Sequence, residues 1–366
     1  MLEEGGNGTR RLGYLLAAHL SIPVCVVAQY LCVLLLLICV AGCGQSEPPK
    51  PLPPTAMLES HAQQFDGQTC SILGGDAYLK DAGSQSWKFY RHLYDADFIK
   101  KNYVIENGII YRFGDDGVKR YAMSRHFNAD FENAATLQDL IGEKYHFTSV
   151  VLQSPAAPTV ADYVKLRAAI LKGERTFIDN RVEPSTEKAH FGKQALKAHA
   201  VAPSHGMQCA KALIESEFLH FVKGDDYWFS GWYFIAEGMP FSISDIKSSW
   251  IDETPGLRLR FEDGAPQFEL KWADKPVYKQ SASKPVKFPL QRWVHVQIHL
   301  KLSDENDGLN ELWVDGQQLI QAKGRNMPLP DAVYNHVEVG ITATLQESTV
   351  FVDDVEVSDN AVGMEK

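Results

Sequence analysis

The sequence has no Cys-x-x-Cys pair, no His-Glu-x-x-His, no glycine-rich phosphate loop and no Gly-x-Ser-x-Gly elbow. Thiol-redox, zinc-protease, nucleotide-dependent and α/β-hydrolase chemistry therefore have no motif to rest on. Basic residues are also short: 36 Lys and Arg stand against 46 Asp and Glu, a net charge of -10. That balance argues against nucleic acid as a partner, since nucleic-acid binders carry a basic surplus. It leaves room for a polyanion held in a local basic cleft. The carboxylate runs of a jelly-roll glycosidase are missing as well. Glu215-Ser216-Glu217 comes nearest and lacks its neighbours, so glycoside hydrolysis by a carboxylate pair is the weakest enzyme reading.

Cysteine is scarce, and its placement is informative. Of six, Cys25, Cys32, Cys39 and Cys43 lie in the first 43 residues. Arg10 and Arg11 precede an apolar stretch that ends Val40-Ala41-Gly42-Cys43, which resembles a bacterial lipoprotein signal with Cys43 as the lipidated residue. A transmembrane anchor over residues 12–41 is the alternative. Residues 44–56 are rich in proline and read as a tether. This organisation implies an exported protein of the bacterial envelope, lipid-anchored at the outer membrane or cell surface. The two remaining cysteines, Cys70 and Cys209, are then expected to form a disulfide.

What is present is a foldable globular chain, 45% hydrophobic and 11% aromatic over 366 residues. Residues 57–173 read as a mixed α+β region. Extended segments fall at 87–94 and 103–113, a Gly-Asp-Asp-Gly turn leads into 118–123, and helices are expected at 134–141 and 159–171. From residue 174 to about 360 the pattern changes to strands at 194–200, 211–221, 227–235, 257–262, 267–272, 293–302, 311–314, 337–342 and 350–357. Turns of Gly, Pro, Asp and Asn separate them, and no helix-length segment interrupts. The fold class is therefore all-β, an antiparallel sandwich or jelly roll with an N-terminal α+β extension.

The clearest alternation runs through residues 291–320. Val294, Val296, Ile298, Leu300 and Leu302 fall on one face, and Trp293, His295, Gln297, His299 and Lys301 on the other. Two imidazoles, an amide, an ammonium and an indole on one outward face make this a candidate site. Arg258 and Arg260 share a strand face, as do Glu269 and Lys271, and cross-strand ion pairing is the simplest role for them. His336 and Glu338 read as a solvated polar pair. Asp353-Asp354 is a candidate for a structural Ca²⁺, with turn hydrogen bonding as the simpler reading. No other cofactor is implied.

The segments Tyr-Trp-Phe-Ser-Gly-Trp-Tyr-Phe-Ile (227–235), Arg-Trp-Val-His-Val-Gln-Ile-His-Leu-Lys-Leu-Ser (292–303), Gly-Leu-Asn-Glu-Leu-Trp-Val-Asp-Gly-Gln (308–317) and Phe-Val-Asp-Asp-Val-Glu-Val (351–357) resemble, in that order, a concanavalin-like jelly roll. Heparin-lyase-like polysaccharide lyases and their non-catalytic relatives are the most similar, over about residues 177–358. The resemblance implies β-elimination on a uronic acid: a neutraliser for the carboxylate, a base for the proton at C5 and an acid for the leaving oxygen. His299 or His295 would be the base, with Gln297 as neutraliser. Lys301, Arg258, Arg260, Trp293 and Lys271 would bind substrate. Gln297-Ile298-His299 matches a tripeptide of some alginate lyases. The chain departs from them where Lys211 replaces an expected Arg and Thr342 follows Gly340-Ile341 in place of Tyr, leaving Tyr334 and Tyr278 as substitutes. The first expectation is thus a lipid-anchored polysaccharide-binding protein. A uronic-acid polysaccharide lyase is the alternative, and a non-enzymatic envelope interaction protein a further one. The first two split on whether the His295–Lys301 face is a concave cleft, with a Tyr within hydrogen-bond reach of His299 favouring the lyase.

Overall fold

Two antiparallel sheets carry the molecule. A computed structural model describes residues 51–362 apart from 66–67, 74, 114–119, 143, 273–274 and 282. Cys43 and its apolar segment lie outside the described residues, as does the Gly114–Gly117 turn.

In one sheet the strands run, edge to edge, Arg181–Ser185, Ala195–Ala200, Ser348–Ser358, Asp226–Glu237, Trp293–Lys301, Leu309–Val314 and Gln317–Lys323, with Phe127–Ala129 added alongside Ser348–Ser358. The other orders Val277–Tyr278, Ala265–Leu270, Gly256–Glu262, Ser242–Lys247, His336–Thr344, Ala210–Ser216 and Ser149–Val151. Alternation fixes which face each strand buries. Val294, Val296, Ile298 and Leu300 of the eight-stranded sheet join Leu257, Leu259, Phe268, Val337, Val339 and Ile341 of the seven-stranded sheet in one core. The all-β expectation and the inward face of 293–302 are both met.

The strand at the centre of the seven-stranded sheet departs from strict alternation. In Ser242–Lys247 the core residues are Ile243 and Ile246, three apart. A register shift between Ser242 and Ser244 sets two residues of this strand against one of Gly256–Glu262 and supplies the extra residue. This β-bulge lets both isoleucines face inward while Asp245 and Lys247 face outward.

The region before residue 174 does not stand apart from the sandwich. Phe127–Ala129 and Ser149–Val151 each add a strand to one of its sheets. The remainder forms a four-stranded meander over Ala62–Phe65, Gln68–Leu73, Asp76–Lys80 and Trp87–His92, with a small core of Leu58, Tyr78 and Trp87. Tyr103–Glu106, Ile109–Phe113 and Arg120–Ala122 make a three-stranded sheet. The helix expected at 134–141 shrinks to Leu137–Leu140. The second helix, Val160–Leu171, is opened by a Thr159–Asp162 capping box. It buries Leu166 and Ile170, while Val160 and Val164, expected on the same face, are exposed.

Cys70 and Cys209 do not form the expected disulfide; both are free thiols. Cys70 is buried in the meander opposite Leu79, and Cys209 precedes the sandwich strand Ala210–Ser216. A core of this size holds without a staple.

Candidate functional site

Each sheet has one outward face, and the residues singled out in the sequence divide between them. His295, Gln297, His299, Lys301 and Trp293 lie on the eight-stranded sheet. Arg258, Arg260 and Lys271 lie on the seven-stranded sheet.

On the eight-stranded face the polar groups are already engaged. His299 Nδ1 is 2.8 Å from Glu311 Oε2, and its Nε2 is 2.9 Å from Asp226 Oδ1. The ring stacks on Trp228 with centroids 4.1 Å apart. Both ring nitrogens are committed to carboxylates, which leaves neither to accept a substrate proton. Gln297 is buried, and its amide donates to the Val362 carbonyl at 3.1 Å, so the C-terminal segment occupies the group assigned to neutralising a uronate. His295 Nε2 is 2.8 Å from Ser230 Oγ, and its ring stacks on Trp232. Lys301 pairs with Asp226 at 2.9 Å. Trp293 packs edge-on against His190 and Phe234. The face is a network of satisfied partners.

The seven-stranded face is different in kind. Cross-strand register places Glu269, Arg258, Asp245, Glu338 and Glu215 in one row across five strands. Lys247 and His336 pair in the next row. Lys247 Nζ bonds Glu338 Oε1, and Lys271 Nζ bonds Asp245 Oδ2. Arg258 Nη2 and Arg260 Nε reach the two oxygens of Glu269 at 2.9 and 2.5 Å. Both guanidinium groups stand over the Phe241 ring. The Arg–Glu pairing read from the sequence is present. His336 and Glu338, read as a solvated pair, are instead buried.

Helix Val160–Leu171 approaches one side of this face. Tyr163 and Arg167, one turn apart, lie on the same side of the helix. Arg167 Nη1 is 3.5 Å from Glu215 Oε1, and the half-buried Tyr163 phenol feels Lys211, Glu215, Arg167 and Lys247. Cys209 in turn feels Lys211, Arg258, Asp245 and Lys271. Lys211, Lys271 and Arg258 therefore gather around Cys209, and Tyr163 lies on the helix side of the face, near Lys211, Glu215 and Lys247.

Electrostatics separates the two lysines. Burial pushes Lys247 down, but Glu338, Glu215 and Asp245 outweigh it and hold its ammonium above the ordinary lysine range. Lys271, about a quarter exposed, goes the other way: burial lowers it and its pairing with Asp245 does not fully compensate. Burial also opposes ionisation of Glu215, yet contact with His336 and the charges of Lys247 and Arg167 hold that carboxyl at about 2. Burial raises the Tyr163 phenol, so it keeps its proton.

Glu215, His336 and Glu338 present one ligand atom each within 4.8 Å of one another, the right donor types for a divalent ion. Lys247 on Glu338 and Arg167 on Glu215 already neutralise both carboxylates, so the set fits an ionic network better than a metal. His336 Nε2 lies 3.2 Å from Glu215 Oε2, and both ring nitrogens lack a well-aligned hydrogen bond. Thr342, which follows Gly340-Ile341 where the resemblance implies Tyr, donates its hydroxyl to Asp245 Oδ1 at 3.0 Å. Tyr334 is fully buried on the Asn326 carbonyl, and Tyr278 bonds the Arg325 carbonyl at 2.6 Å; neither replaces it. Asp353 accepts from the amides of His190, Phe191 and Asp354, the turn-holding role.

The family model for polysaccharide lyases matches residues 159–356, from the N-cap of helix Val160–Leu171 to the last strand. No curated protein matches the sequence. Among solved structures, an endo-β-1,4-glucuronan lyase from the fungus Trichoderma reesei is 13% identical, covering 50% of this chain and 89% of its own at a TM-score of 0.42. A marine alginate lyase from Aplysia kurodai is 11% identical, covering 57% and 97% at 0.33. A cellulose-induced protein, Cip1, is 13% identical, covering 65% and 100% at 0.44.

Proposed function

The chain belongs to the polysaccharide lyase family, and from that premise we propose that it cleaves a uronic-acid glycan by β-elimination on the outward face of the seven-stranded sheet. The family favours catalysis over the binding module expected first. The observation that carries the location is a local excess of cations in an acidic chain. Lys211, Lys247, Lys271, Arg258, Arg260 and Arg167 gather against Asp245, Glu215, Glu269 and Glu338, while the whole chain stands at -10. Such a patch draws in a polyanion that the rest of the surface repels.

The roles follow from charge state. Lys271 is the base, because its ammonium gives up a proton more readily than an ordinary lysine. Lys247 stays charged and holds Glu338 and the row beside it. Two guanidinium groups share one Glu269 carboxylate, which leaves a net positive charge to neutralise the uronate and acidify C5. The Lys271 amine takes the C5 proton, the electron pair forms the C4–C5 double bond, and the C4–O bond breaks. Tyr163 donates its proton to the departing oxygen. We further propose that the protein is exported and tethered to the bacterial envelope through lipidated Cys43.

The test is ultraviolet absorbance of the unsaturated uronate during incubation with glucuronan, alginate, polygalacturonate and heparin. The expected result is a rise on at least one polymer, with the rate increasing as pH climbs and Lys271 loses its proton. Absence of a rise on every uronic-acid polymer would sink the lyase reading.

A further inference from the structure

The eight-stranded sheet carries a second feature, remote in register from the His299 network. At its Arg181–Ser185 edge lies a cavity of about 740 Å³ walled by Arg181, Lys188, Lys197 and His199, within the size range of small-ligand sites, roughly 300–1,000 Å³. Register explains its construction. Glu183, Lys197, Phe351, Phe234 and Trp293 lie in one row across five strands, and Arg181, His199 and Thr349 lie in the neighbouring one. Cations therefore stand beside aromatic rings: Lys188 Nζ is 4.6 Å from the Phe234 centroid, and Lys197 Nζ is 5.7 Å from that of Phe351. Lys197 is bonded by Glu187 at 2.5 Å, and Arg181 is 3.9 Å from Glu183. Among the described residues no carboxylate lies within ion-pair distance of Lys188.

We propose that this cavity is a non-catalytic subsite for an acidic polysaccharide, separate from the eliminating face. The rings beneath hold the lysine stems in place, and the ammonium and guanidinium groups along the wall donate to the carboxylates of a uronate chain. Arg181, Lys188 and Lys197 outnumber the two lining carboxylates, Glu187 and Glu237, in a chain that is acidic as a whole. A polymer held here on one sheet while another segment reaches the opposite sheet gains effective concentration at the catalytic face. The identity of the ligand rests on the lyase reading; the existence of the site does not.

The test is retardation of the full chain in gels cast with polygalacturonate or alginate, with uncharged dextran as control, alongside the ultraviolet assay on a short uronate oligosaccharide. Lys188→Glu with Lys197→Glu is expected to weaken retention about tenfold while turnover of the short oligosaccharide is unchanged. Lys188→Glu alone, at a half-buried residue with no ion pair among the described residues, is expected to weaken retention in the same direction and guards against misfolding of the double variant. Retention unchanged in both variants overturns the subsite, whether or not elimination is seen. Retention that falls in the variants of a protein that eliminates nothing supports the subsite and removes the lyase reading instead.

Discussion

Replacing Lys247 by Met tests the ionic row on which the proposed active face depends. The Lys247 and Glu338 side chains are 9% and 3% exposed, with Glu215 and Asp245 also buried beside them. Met matches the length of lysine but leaves Glu338 without its ammonium. Stranding one partner of a buried pair costs about 3–5 kcal/mol, which lowers Tm by roughly 10 °C in a domain of this size. The sign with pH follows from Glu338: burial pushes its carboxyl up, but Lys247 and the surrounding cations bring it below its ordinary 4.5. A depressed carboxyl contributes stability that is present above 4.5 and is lost as pH falls through the folded value. Lys247→Met raises that folded value, so the gap from wild type is widest near neutrality and closes on acidification below 4.5. The assay is urea unfolding at several pH values, with Glu338→Leu added in a double-mutant cycle. The combined variant is expected to recover most of the loss. A single variant within about 1 kcal/mol of wild type at pH 7 would refute a buried, charge-paired row.

Asp353→Asn addresses a carboxyl pushed the other way. Burial raises Asp353 to about 6 despite the amides of His190 and Phe191, so its ionised form is unfavourable in the fold and wild type loses stability as pH rises from 4 to 6. The Asn variant is expected to lack that slope in thermal melts, and an unchanged slope would contradict the assignment. For the cysteines, alkylation in denaturant without reductant followed by peptide mapping is expected to label Cys70 and Cys209 separately. Native alkylation of Cys70 is expected to be slow, because burial raises its thiol. A linked pair of peptides would restore the disulfide.

The long apolar strands were legible, even Ser348–Ser358, whose core valines break step between Val352 and Val355. The segments at 227–235, 257–262, 293–302 and 350–357 lie within two residues of Asp226–Glu237, Gly256–Glu262, Trp293–Lys301 and Ser348–Ser358. Illegible strands had physical reasons to be so. Ser242–Lys247 carries a bulge that breaks the two-residue period. Arg181–Ser185 includes Pro184, an edge-strand residue that disrupts the pattern. Phe127–Ala129 and Ser149–Val151 are three residues each, too short to show any period. The site was harder still. His295, Gln297 and His299 attracted notice by residue type, but the groups that engage His299 and Gln297, namely Asp226, Glu311 and Val362, are distant in the chain. Conversely, Glu338 and His336 read as solvated because outward-facing strand positions look alike in sequence whether water or other protein lies above them. Arg258, Arg260 and Lys271 were marked as candidates, yet nothing in their spacing tied them to Tyr163 or Asp245.

The central claim is that elimination belongs to the seven-stranded face. The measurement that tests it most directly is the initial ultraviolet rate of Lys271→Met beside His299→Ala, both checked for folding, on whichever uronic-acid polymer wild type cleaves. Lys271→Met is expected to lose at least about a hundredfold, the scale of a removed general base. His299→Ala, which only opens the Asp226–Glu311 network, is expected to stay within a few-fold of wild type. The reverse pattern, with His299→Ala inactive and Lys271→Met active, would return the chemistry to the Trp293–Lys301 strand.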